Sequence, residues 1–171
     1  NYGEEVKSMN VFLNEKAKNI IELARQHLGH PYVYAGAGQL CIPDNRRKKI
    51  NSTYPDIVNK CNVLNGSNTN CEGCKYQGCR FFDCRCFTYW ILKQNDVNIS
   101  AVGATTQYNT ATSWIKRGKI EDMPNVVCCV FKYKDDSKQM SHTGLHKGNG
   151  VIVHCTGVKL GEAQYDAVGG Q

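Results

Sequence analysis

The chain has 171 residues, 21 Lys and Arg against 15 Asp and Glu for a net charge of +6, and a hydrophobic fraction of 41%. That length suits one domain able to bury a core, and no apolar run approaches the ~18 residues of a membrane span. The densest basic run, Arg46-Arg47-Lys48-Lys49, lacks interleaved aromatics and reads as a solvated loop, which argues against a nucleic-acid-binding protein.

Residues 1–10 are expected to form a tail or linker, without a signal-peptide h-region, ahead of one domain over 11–171. From Val11 to Leu28, the residues Leu13, Ala17, Ile21, Ala24 and Leu28 mark one helical face, and Gly29 with Pro31 ends the helix. A short extended piece, Tyr32-Val33-Tyr34, leads into the small-residue loop Ala35-Gly36-Ala37-Gly38. Residues 39–80 are poor in aliphatics and rich in Asn, Gly, Lys and Cys, so they read as an insertion that needs a staple to stay ordered. Cys71-x-x-Cys74 followed by Cys79, completed by Cys61 or Cys41, has the spacing of a structural zinc knuckle. Disulfides and unlinked thiols are the other two readings of the same residues.

Asp83 stands where an N-cap belongs, and Phe87, Trp90 and Ile91 form an apolar stripe that Cys84 extends by one turn, so a helix is expected from Cys84 to about Asn95. A thiol in the first turn faces unpaired N–H groups and the positive end of the helix dipole, which favour the reactive thiolate. The alternative is a cysteine packed in the core. A short helix is expected near 111–116, and then a strand over 126–133, buried on both faces at its start. Ser141–Lys147 and Val151–Thr156 read as two more strands joined by Gly148-Asn149-Gly150, which gives helices first and then an antiparallel meander: an α+β fold.

His142 and His154 lie on the two strands of that hairpin, and their relation depends on parity. A two-residue turn with regular pairing sends the two rings to opposite faces. A three-residue loop, or a bulge, sets 144 opposite 154 and brings both imidazoles to one face as diagonal neighbours ~7–8 Å apart, with Gly144 leaving space beside His154. A thiol at a helix start and two imidazoles on one sheet face are what nucleophilic catalysis by cysteine needs. His27, His30 and His146 fit that role less well.

Four segments carry a family resemblance: His27-Leu28-Gly29-His30-Pro31-Tyr32-Val33-Tyr34-Ala35-Gly36, Phe82-Asp83-Cys84-Arg85-Cys86-Phe87, Ser141-His142-Thr143-Gly144-Leu145, and Gly148-Asn149-Gly150-Val151-Ile152-Val153-His154. In composition and order the chain resembles the NlpC/P60 cysteine peptidases of bacterial and phage cell-wall hydrolases. The resemblance implies a papain-like core with helices packed on a central antiparallel sheet, interrupted here by the Cys-rich insertion. It implies a thioester-forming endopeptidase that cuts an amide bond in peptidoglycan stem peptides, next to D-glutamate or D-isoglutamine, and needs no cofactor for the chemistry. Carried over by position, Cys84 is the nucleophile, His142 the base and His154 its orienting residue, with Tyr32, Asp83 and Arg85 near substrate. Arg85 stands where Ser is common in the family, Cys86 replaces the usual Gly, and Pro124-Asn125 shortens the usual Pro-Gly-Asp turn. The implied setting is extracellular, at the cell wall or in a virion tail, as one domain of a larger wall-acting or phage-tail protein. A CHAP-like N-acetylmuramoyl-L-alanine amidase and a non-catalytic wall-binding or tail module are the alternatives. A zinc enzyme ranks last, because the candidate zinc cysteines and the histidines lie in different segments.

Overall fold

The computed structural model describes residues 2–45, 74–110, 118–134, 139–156 and 159–164, of which 2–13 and 159–164 are described as backbone only. The protein is α+β. Helix α1 (Tyr2–Gln26) precedes β1 (Ala37–Leu40) and β2 (Arg80–Phe82), helices α2 (Cys84–Lys93) and α3 (Ala104–Thr110), and strands β3 (Cys128–Tyr133), β4 (Met140–Gly148), β5 (Val151–Thr156) and β6 (Lys159–Gln164). The last four form an antiparallel meander in the order β3-β4-β5-β6, and β1 and β2 form a separate two-stranded sheet. No helix among the described residues is long and apolar enough to cross a membrane.

The first helix begins at Tyr2, so residues expected as a tail are helical, and it stops at Gln26. Gly29, at φ +84°, supplies the left-handed turn after it. Its buried stripe is Ile20 and Ala24, continued by His27 in the following turn, whereas Leu28, expected on the apolar face, is exposed in that turn. Helix α2 matches its expected start and stripe. Asp83 caps it in extended conformation, its carboxylate accepting from the Cys86 N–H at 2.7 Å. Phe87 and Ile91 are fully buried against Ile20, Ala24, Phe82, Leu145 and Val153. Each such side chain contributes ~1.5–3 kcal/mol of burial free energy, so this helix is clamped between α1 and the meander. The short helix expected near 111–116 lies outside the described residues.

Three strands, β1, β2 and β6, were not legible in the sequence. β1 and β2 are too short to show alternation, and they pair across the whole insertion. Their pairing continues into Cys41, whose N–H donates to the Cys79 carbonyl at 2.6 Å while the Gly78 N–H donates back to the Cys41 carbonyl at 3.0 Å. The two ends of the Cys-rich segment therefore meet at one point. On the other side of β2 runs the extended piece 31–33, in a parallel bridge between Tyr32 and Phe82, with the Val33 N–H donating to the Phe82 carbonyl at 2.8 Å. β6 is the other strand that was not anticipated.

β3 begins two residues later than expected and is an edge strand, half-buried at its start instead of covered on both faces. Val126 is 51% exposed, because its carbonyl is held outside the ladder by His146, whose Nδ1 donates to it at 2.8 Å. The Nε2 of the same ring accepts from the Gly150 N–H at 3.2 Å. One neutral tautomer satisfies both contacts, so buried His146 is a structural lock for the hairpin and is not available as a base for nearby Cys128.

Candidate active site

The hairpin resolves the parity question with a bulge. Leu145 pairs with Val153 and His146 with Ile152, but Gly148 pairs with Val151, a one-residue shift. The turn itself is Asn149-Gly150, both at positive φ, the two-residue form that suits a right-twisted hairpin. Asn125 fixes the tip, its amide donating to the Asn149 Oδ1 at 3.0 Å and its own Oδ1 accepting from the Asn149 N–H. That role of Asn125 was not legible, since nothing local in sequence signals a partner 24 residues away.

The extra residue brings His142 and His154 together, with Nε2 of His142 2.9 Å from Nδ1 of His154 and the ring centroids 5.1 Å apart at 80°. Gly144 makes the approach possible. A Cβ on it would lie 2.8 Å from the Ile152 Cγ2 and 3.0 Å from the His154 Cβ. We expect Gly144→Ala to lower stability by about 1–3 kcal/mol by overpacking. It should also lower turnover beyond that loss by displacing His154, measured by denaturant unfolding and by rate per folded molecule. Unchanged stability and turnover would show that the strands yield freely here.

Cys84 opens α2, with its thiol half-buried. Backbone N–H groups of Thr143, Arg85 and Cys84 itself act on the sulfur, so the thiol lies against β4 at Thr143, the residue after His142 in sequence. The expectation of a favoured thiolate is reversed. Burial first, and the Asp83 carboxylate second, push the Cys84 thiol above its ordinary value, and the N–H groups only partly offset them. The helix N-terminus is already occupied by an anionic cap. His142 is lowered to about 4 by burial, then by His154 and Lys132. His154 is lowered by burial. At rest the thiol and both imidazoles are neutral.

This has a consequence for pH dependence. Activity by this pair needs one proton shared between Cys84 and His142, wherever it resides. Protonation of His142 removes that state on the acid side, and ionisation of the pair to thiolate and neutral imidazole removes it on the alkaline side. Both shifts widen the window, so kcat/KM should form a broad bell, its acid limb well below the ordinary histidine value of 6.5 and its alkaline limb above the ordinary cysteine value of 9.0. An acid limb at 6.5 or above, in a pH–rate profile, would contradict the burial of His142.

The remaining predicted site residues separate by their contacts. Tyr32 lies near Cys84: its phenol is pushed up by burial and then by Cys84 and Asp83, and β2 holds it there through the bridge to Phe82. Asp83 and Arg85 are engaged with the protein. Asp83 holds the Cys86 N–H with one oxygen and the Arg85 Nη2 at 3.2 Å with the other, while the Arg85 Nη1 donates to the Ala101 carbonyl. Sequence reading missed Gln107 on α3. It is fully buried, its amide donates to the Arg85 carbonyl at 3.0 Å, and its Oε1 has no partner among the described residues. A lone glutamine in a polar helix gives no signal of burial.

Of the candidate zinc cysteines, Cys61 and Cys71 lie outside the described residues. Cys74 and Cys79 are half-buried thiols near the neck of the insertion, and the described residues hold no group of three or more metal-ligating side chains. The basic run at 46–49 is also outside them. His27 and His30 pair through their Nδ1 atoms at 3.2 Å, and His27 packs edge-on against Phe82 and Trp90 on the far side of β2. No protein-family model matches the chain, and no curated protein matches it significantly. The site is therefore read from its own geometry.

Proposed function

We propose that the protein is a cysteine peptidase that hydrolyses an amide bond in peptidoglycan stem peptides, on a papain-like core of the NlpC/P60 kind. The observation that carries this reading is the 2.9 Å contact between His142 and His154 on a strand whose next residue meets the thiol of Cys84 at the start of α2. If the Nε2 proton of His142 is donated to the Nδ1 of His154, the Nδ1 of His142 is left free to accept a proton from Cys84. When His142 takes that proton, the same hydrogen bond supports the imidazolium.

The sulfur attacks the amide carbonyl, and the electron pair moves onto oxygen. The N–H groups of Cys84 and Arg85, at the first turn of α2, are the candidate donors to that oxyanion. His142 protonates the leaving amine, a thioester remains on Cys84, and water activated by His142 releases the acid and restores the thiol. Asp83 and Arg85 act as positioning residues in this scheme, since their polar atoms fix the cap and the 101 loop. The wall substrate rests on the motif resemblance. Mass spectrometry of muropeptides digested by the purified protein tests it: a cut beside D-glutamate supports the endopeptidase, a cut between the lactyl group and L-alanine indicates an amidase, and intact wall overturns hydrolysis.

A further inference from the structure

We propose that Lys132 is a specificity residue that binds a carboxylate of the substrate next to the scissile amide, so that the enzyme prefers stem peptides with a free carboxyl at that position over amidated ones. This rests on the peptidase reading above and narrows it to an anionic substrate class. Lys132 is the register partner of His142 across β3 and β4. Paired residues on neighbouring strands project to the same face, with Cβ atoms ~4.5–5.5 Å apart. The lysine is exposed on the edge strand, and its ammonium is close enough to His142 to act on it. Among the described residues no carboxylate forms an ion pair with it. Asp83, the acid described beside Cys84, is held by Arg85 and the Cys86 N–H.

Among the described residues, the other groups at this mouth do not offset the charge of the lysine. His142 and His154 are neutral near pH 7, and the Tyr32 phenol is held in its neutral form. A flexible ammonium one residue across from the base can follow a carboxylate lying a few bonds from the reacting carbonyl. In a γ-linked glutamyl peptide the free α-carboxyl lies about 5 Å from the scissile carbonyl by covalent geometry, which is within that reach. Amidation of this carboxyl keeps the shape and removes the charge, so the two forms isolate the interaction.

The test compares kcat/KM for two synthetic stem peptides that differ only in a free or an amidated α-carboxyl on the γ-linked D-glutamyl residue. The unaltered protein should favour the free acid by about tenfold. Lys132→Gln should lose that preference, the ratio of kcat/KM for the two peptides falling toward one, and Lys132→Glu should invert it. In parallel, titration of both peptides into Cys84→Ala protein should show the same order of affinities without turnover. Equal preference in the unaltered protein and in Lys132→Gln, with hydrolysis intact, overturns the role of Lys132 and leaves the peptidase reading standing. Absence of both turnover and binding for either peptide overturns the two together.

Discussion

Replacing Cys84 by Ala is expected to abolish hydrolysis, with a fall on the order of 10³-fold or more, because the proposed covalent mechanism loses its attacking atom. The fold should survive. The side chain is half-buried at a helix start, and its loss leaves the Asp83 cap, the Phe87 and Ile91 packing and the His142–His154 pair in place. Stability should change by about 1 kcal/mol or less. The control is Cys86→Ala, two residues on. Cys86 is buried at 6% exposure, and its contribution to the cap is a backbone N–H that alanine retains. That variant should keep most of its rate per folded molecule, at some cost in stability from the lost packing. If Cys86→Ala were inactive and Cys84→Ala active, the nucleophile would have to be reassigned.

The second large effect belongs to His154. In the proposed mechanism, removing its ring takes away the partner 2.9 Å from His142 Nε2 that fixes the tautomer of His142 and supports its charge in the transition state. His154→Ala should lower kcat by about 10²–10⁴-fold. KM should stay within about threefold, since the role is carried through His142 and not through substrate. His154→Asn offers a carbonyl oxygen to the same Nε2 proton, and partial recovery of kcat would separate orientation from simple packing. A rise in KM with kcat preserved would instead make His154 a substrate contact.

Much of this arrangement could be read from the chain, and the parts that could not have identifiable physical reasons. Asp83 and the stripe of Phe87, Trp90 and Ile91 announced α2, because capping and helical periodicity are local properties. The facing of His142 and His154 followed from parity, with a bulge at 147–148 giving the offset around an Asn149-Gly150 turn. What stayed hidden is set by distant partners. The ionisation of Cys84 was misjudged because helix-end electrostatics can be seen in sequence, whereas burial of the sulfur and the anionic cap beside it arise from packing. Gln107 and Asn125 earn their positions through contacts 22 and 24 residues away. β1 and β2 carry no periodic signal at all, and only the folded chain joins them.

That pairing of β1 with β2 separates the length of the Cys-rich segment from the architecture of the site. Because the Cys41 and Cys79 backbones are joined by hydrogen bonds, the core sees the same entry and exit points whatever joins them. The entropy of closing a flexible loop grows only with the logarithm of its length, so expanding such a connection from about four residues to about forty costs about 2 kcal/mol. Tyr32, Asp83 and Cys84 are thus anchored on the near side of the strand pair, while Tyr76 and Gly78 at the exit of the segment close it onto Val33, Cys41 and Phe81, so the site's geometry depends on that closure and not on the length of chain it encloses.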